Sequence, residues 1–128
     1  MTTEPTSFEL ARAVADLAYD RKAEAICTLD IAALSTVADH FVVCTGRSHI
    51  HVRAIAERVE QEIKQAFARR PLSVEGLDTS RWVLVDYGDV VLHVFQAAER
   101  GLYDIERLWA NAPRWNYEEG SDKEHASV

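Results

Sequence analysis

Apolar residues recur along this chain with two periods, one helical and one alternating, and the switches between them predict its elements. Thr6-Ser7-Phe8-Glu9 reads as a capping box, in which the Thr6 hydroxyl and the Glu9 carboxylate accept from first-turn amides. The helix that follows runs to about Lys22, with Leu10, Val14 and Leu17 as its apolar stripe. Residues 25–31 then read as a strand, and residues 39–45 as a second, mostly buried one. Gly46-Arg47-Ser48 ends that strand and caps a long helix. Val52, Ile55, Ala56, Val59, Ile63, Ala66 and Phe67 keep helical spacing there, the strongest periodic signal in the chain. Arg69-Arg70-Pro71 closes the helix, and residues 71–80 read as a polar connection.

Two β-branched runs, residues 81–87 and 90–96, are joined by Gly88-Asp89, a tight-hairpin signal because glycine tolerates the positive φ such a turn demands. A short helix over Glu99–Trp109 places Leu102, Ile105 and Trp109 on one face. The predicted order is α-β-β-α-β-β-α, an α/β (α+β) layered domain with a mixed sheet, since the hairpin strands must be antiparallel. One domain over residues 1–112 is expected, followed by an acidic, flexible tail over 113–128 that contains Glu118, Glu119, Asp122 and Glu124.

Composition narrows the class. The 128 residues suffice for one real core, and 21 Asp and Glu against 14 Lys and Arg give a net charge of −7. That balance disfavours a protein that coats DNA or RNA. Residues 47–70 depart from it, with six basic residues against three acidic ones. A basic protein partner, steered by the acidic remainder, fits better. Cys27 and Cys44 lie in apolar runs, which suits buried free thiols in a reducing cytoplasm rather than a disulfide framework. No apolar stretch has bilayer length, and the start of the chain resembles neither a signal nor a transit peptide. Neither membrane insertion nor secretion is expected.

Candidate chemistry is thin. Gly46-Arg47-Ser48 opens a helix after a strand, so amides there could hold a phosphate, as in a nucleotidyltransferase. Such an enzyme also needs two carboxylates at alternate strand positions to hold Mg²⁺. Asp86 has Leu84 where its partner would stand; Asp89 is three residues away, and Asp39 with His40 makes no pair. His49 and His51 point about 200° apart on a helix, and His40 and His93 lie on separate strands, so no zinc site is expected. His93 with Asp86 resembles part of a triad, yet no nucleophile elbow accompanies it. No catalytic residue, cofactor site or metal site is expected.

The hairpin is more informative. With Gly88-Asp89 as the turn, Tyr87 pairs with Val90, Val85 with Leu92 and Val83 with Val94, an apolar core face. The opposite face carries Trp82, Leu84 and Asp86 beside Phe95, His93 and Val91. Two readings of it stand open: a helix covers it, as layered folds require, or it is a docking patch anchored by Trp82. Tyr103, about 100° from Leu102 around the last helix, lies off the buried stripe and supports docking.

The run Asp39-His40-Phe41-Val42-Val43-Cys44-Thr45-Gly46-Arg47-Ser48, with His51-Val52-Arg53-Ala54-Ile55-Ala56, resembles the ribosomal silencing factor (Iojap-related) family. So do Val74-Glu75-Gly76, the block Trp82–Val91 and Tyr103-Asp104-Ile105-Glu106-Arg107-Leu108-Trp109, so that the resemblance spans roughly residues 8–110. It implies a nucleotidyltransferase-like fold without that activity. It also implies binding to the large ribosomal subunit through its fourteenth ribosomal protein, blocking subunit joining and lowering translation under nutrient limitation. Family contact residues map onto Trp82, Leu84 and Tyr103, with Asp86 beside them. A homodimer when free is implied too, and no direct DNA contact. Residual metal-dependent nucleotidyl transfer and a role as a ribosome-assembly adaptor are the alternatives. Gly101 departs from the family pattern, where a bulkier residue is commoner.

Overall fold

A computed structural model describes residues 4–117. Its elements in chain order are α1 (Ser7–Asp20), β1 (Glu24–Asp30), β2 (His40–Gly46), α2 (His49–Phe67), β3 (Ser73–Glu75) and β4 (Trp82–Asp86), followed by β5 (Val90–Gln96), α3 (Ala97–Tyr103), α4 (Ile105–Leu108) and β6 (Arg114–Asn116). The six strands form one mixed sheet in the order β3-β4-β5-β2-β1-β6. Only β2 and β5 run parallel, and every residue of β2 is buried, as befits a central strand.

The α1 capping box forms as expected, with Glu9 N–H donating to Thr6 Oγ1 and Thr6 N–H donating to Glu9 Oε1. Leu10 and Val14 of α1 and the stripe Val52, Ile55, Ala56, Val59 and Ile63 of α2 are buried on one sheet face with Val83, Val85, Leu92 and Val94. Ala66, expected on that stripe, is exposed at the end of the helix, which closes two residues later with Ala68 in the left-handed region. The hairpin register is as read: Val83 faces Val94, Val85 faces Leu92, and Tyr87 N–H donates to the Val90 carbonyl.

Three expectations are corrected. Residues 73–75, read as part of a polar connection, form β3 against β4. Residues 114–116, read as tail, form β6 against β1, and Trp115 lies among the rings of Phe8 and His40. The acidic residues from Glu118 onward lie outside the described residues. The single last helix is two: Asp104 takes a left-handed φ of 45°, ending α3 and starting α4. That break leaves Leu102, expected on the buried face, exposed. Ile105 alone of the two helices is fully buried.

The sheet's second face carries a smaller core of Cys27, Leu29, Ile31, Phe41, Val43, Val91 and Phe95, closed by Ile105 and Ala112. The buried Cys27 and Cys44 thus face opposite sides of the sheet. Among the described residues no helix is long and apolar enough to cross a membrane.

Candidate docking face on the hairpin

The smaller core does not reach the β3 edge of the sheet. Ile105, Trp109 and Ala112 cover its middle, with Trp109 set edge-on to Phe41 at 5.7 Å between ring centroids. Beyond them β4 alternates strictly: Val83 and Val85 are buried on the α1/α2 side, while Trp82, Leu84 and Asp86 stand half-buried on the other. The two readings left open by the sequence therefore divide the face between them. A covering segment exists, and β4 lies at its margin. Trp82 and Leu84 are half-buried against the smaller core rather than fully open.

Trp82 is the centre of this margin. Its indole stacks on Phe95, its cross-strand partner, at 4.8 Å, and lies 4.7 Å from the ring of Tyr103 on α3. Its Nε1–H donates to Nδ1 of His93 at 3.1 Å. Tyr103 itself is 49% exposed. Trp82, Leu84 and Tyr103, picked out from separate parts of the sequence, thus share one side of the molecule. Asp86 shares it too, but its carboxylate also works locally, accepting from Gly88 N–H at 2.8 Å to fix the turn.

One residue that sequence reasoning missed belongs here. Glu75 stands directly opposite Leu84 in the β3–β4 ladder, which adds a second carboxylate beside Asp86. Only the formation of β3 places it there. Gly76 follows with a φ of 91°, and a Cβ on it would lie 2.1 Å from the Trp82 carbonyl oxygen, so glycine is what lets the β3 end approach β4. His93, which alternation already placed on this face, gains its bond to Trp82 only in the folded structure.

The phosphate and metal readings find other uses for their residues. Ser48 Oγ caps α2 by accepting from His51 N–H at 3.1 Å, and the His51 ring accepts from Arg47 N–H at 2.8 Å. Amides that a phosphate would need are thereby engaged. Asp89 is held by Arg69, just past the end of α2, through two hydrogen bonds at 2.9 and 3.3 Å. His40 packs against Phe8 and Trp115, and burial pushes its pKa down. Burial also pushes His93 down, to about 4, so its ring is neutral at pH 7.

A second polar cluster lies behind α3. Arg100 donates to both Glu106 oxygens, at 3.2 and 2.8 Å, to the Ala25 carbonyl at 2.7 Å and to Thr45 Oγ1 at 2.9 Å. Those bonds pull the Glu106 carboxyl below its ordinary range. The cluster fastens α3 and α4 to β1 and β2, and so fixes Tyr103 relative to β4.

The family model described as "Ribosomal silencing factor during starvation" matches residues 4–128. The ribosomal silencing factor of Bacillus subtilis is 45% identical over 94 residues, covering 73% of this chain and 79% of that protein. That of Halalkalibacterium halodurans is 39% identical over 105 residues, covering 82% and 89% respectively. A crystal structure of a protein from Chromobacterium violaceum superposes with a TM-score of 0.80 at 34% identity, over 93% of this chain and 98% of that one.

Proposed function

The chain belongs to the ribosomal silencing factor family, and on that premise we propose that it represses translation by docking on the large ribosomal subunit through the Trp82–Leu84–Tyr103 face. The partner in this reading is the fourteenth large-subunit ribosomal protein, and the mechanism is steric. A folded domain seated where the small subunit must approach blocks joining by occupancy alone, and translation falls under nutrient limitation. No bond is made or broken.

The observation that carries the proposal is the convergence of two aromatic anchors and a leucine from a strand and a helix, at the uncovered margin of the second core. Half-buried aromatics are suited to this work, because the folded protein holds them in place before the partner arrives and little ordering cost remains. Glu75 and Asp86 flank the apolar centre and match a basic partner, which steers encounter and makes the on-rate sensitive to salt. The proposal includes a cytoplasmic location and a homodimer when no ribosome is present.

The test is co-sedimentation with separated subunits. The protein should pellet with isolated large subunits and stay in the supernatant with small ones. Pelleting with neither, or equally with both, contradicts the proposal.

A further inference from the structure

One buried polar group in the docking face is not explained by packing. His93 is 5% exposed in the middle of β5, walled by Phe41 (4.6 Å, edge-on), Phe95 and Trp82. Its Nδ1 accepts from Trp82 Nε1–H, and an indole nitrogen can only donate. The single proton of the neutral imidazole therefore sits on Nε2. That atom is buried, and among the described residues it has no hydrogen-bond partner. A leucine or phenylalanine would fill this site without stranding an N–H, so the ring is a costly choice for the fold alone.

We infer that His93 is a positioning residue for docking, its Nδ1 holding the Trp82 indole in the one rotamer that presents the ring to a partner. The inference rests on the docking proposal above. Trp82 is half-buried, stacked on Phe95 and set against Tyr103, which is itself 49% exposed. Such stacking constrains the plane of a ring, whereas a hydrogen bond also fixes where its edge points. The bond from Nε1 to His93 Nδ1 therefore sets the direction of the indole edge toward β5. The ordering is then complete before the partner binds, and affinity gains what binding would otherwise lose to it.

Three variants and one spectrum test this. His93→Leu removes the acceptor and keeps apolar bulk, and His93→Asn restores an acceptor at the Nδ1 position. Trp82→Ala removes the anchor itself. His93→Leu should melt at or above the wild-type temperature yet bind large subunits about tenfold more weakly, with His93→Asn recovering most of the affinity. If Trp82→Ala loses binding while His93→Leu binds as wild type, the positioning role is overturned and the docking face stands. If Trp82→Ala binds as wild type, the docking face itself falls. Should His93→Leu fail to fold, the wild-type indole N–H decides. Assigned by its absence in Trp82→Phe, that resonance should exchange slowly with solvent, and exchange at the rate of a free indole overturns the inference.

Discussion

The rings of Trp82 and Tyr103 lie 4.7 Å apart, although one belongs to a sheet strand and the other to the exposed face of a helix 21 residues later. This contact joins the two halves of the candidate docking face into one surface. The two residues should therefore act together in binding. Trp82→Ala is expected to weaken binding to large subunits about 30- to 1000-fold. Tyr103→Ala is expected to weaken it less, and the double variant by less than the product of the two. A double-mutant cycle should give a coupling of about 0.5–1.5 kcal/mol, and strict additivity would separate the two residues functionally.

Nucleotidyl transfer is expected to be absent. Arg69 engages Asp89, the Asp86 carboxylate accepts from Gly88 N–H, and Leu84 stands where a carboxylate alternating with Asp86 on β4 would be needed. Incubation with Mg²⁺ and each nucleoside triphosphate should release no pyrophosphate above background. Turnover that disappears in Asp86→Asn would reverse this conclusion.

Arg100→Met should destabilise the fold strongly. It leaves the 15%-exposed Glu106 with Arg114, at 3.4 Å, and the Cys27 thiol, at 3.9 Å, and frees the Thr45 and Ala25 acceptors. Breaking a buried pair in this way costs about 3–5 kcal/mol, which for a domain of this size lowers the melting temperature by more than about 10 °C. A shift of a degree or two would show that the cluster does not fasten α3 and α4.

Much of this was legible in the sequence, and the failures have physical causes. The hairpin register follows from a two-residue turn between β-branched runs, and alternation then separates Val83 and Val85 from Trp82 and Leu84 without further information. β3 and β6 are three residues each, shorter than one readable repeat, and their strand geometry is supplied by β4 and β1. The break at Asp104 depends on a left-handed backbone that Asp tolerates but does not announce. Arg100 and Glu106 are six apart across that break, so no helical spacing pairs them. The bond from Trp82 to His93 runs diagonally across the ladder: alternation places both on one face, but only coordinates give the bond.

Acid should destabilise the protein in a window set by its buried histidines. His93 titrates near 4 when folded and near 6.5 when unfolded, and burial shifts His40 in the same direction. Between those values the unfolded chain binds protons that the folded chain does not, so stability falls as pH drops from 6.5 toward 4. His93 alone contributes up to about 3 kcal/mol of that loss. Glu106, held low by Arg100, adds its own loss only below about 4.5. Melting curves across this range should flatten in His93→Leu, and an unchanged slope would place the proton elsewhere.

The central claim is that occupancy of the Trp82 face keeps the subunits apart, and subunit joining measures it directly. Separated large and small subunits are mixed after preincubation of the large subunit with saturating protein, and joined ribosomes are read by light scattering. The wild-type protein should suppress joining in proportion to the large subunits it occupies, while Trp82→Ala should release it at the same protein concentration and Tyr103→Ala should release it in part. Joining at the full rate on large subunits saturated with wild-type protein, or suppression that Trp82→Ala leaves intact, would contradict the account.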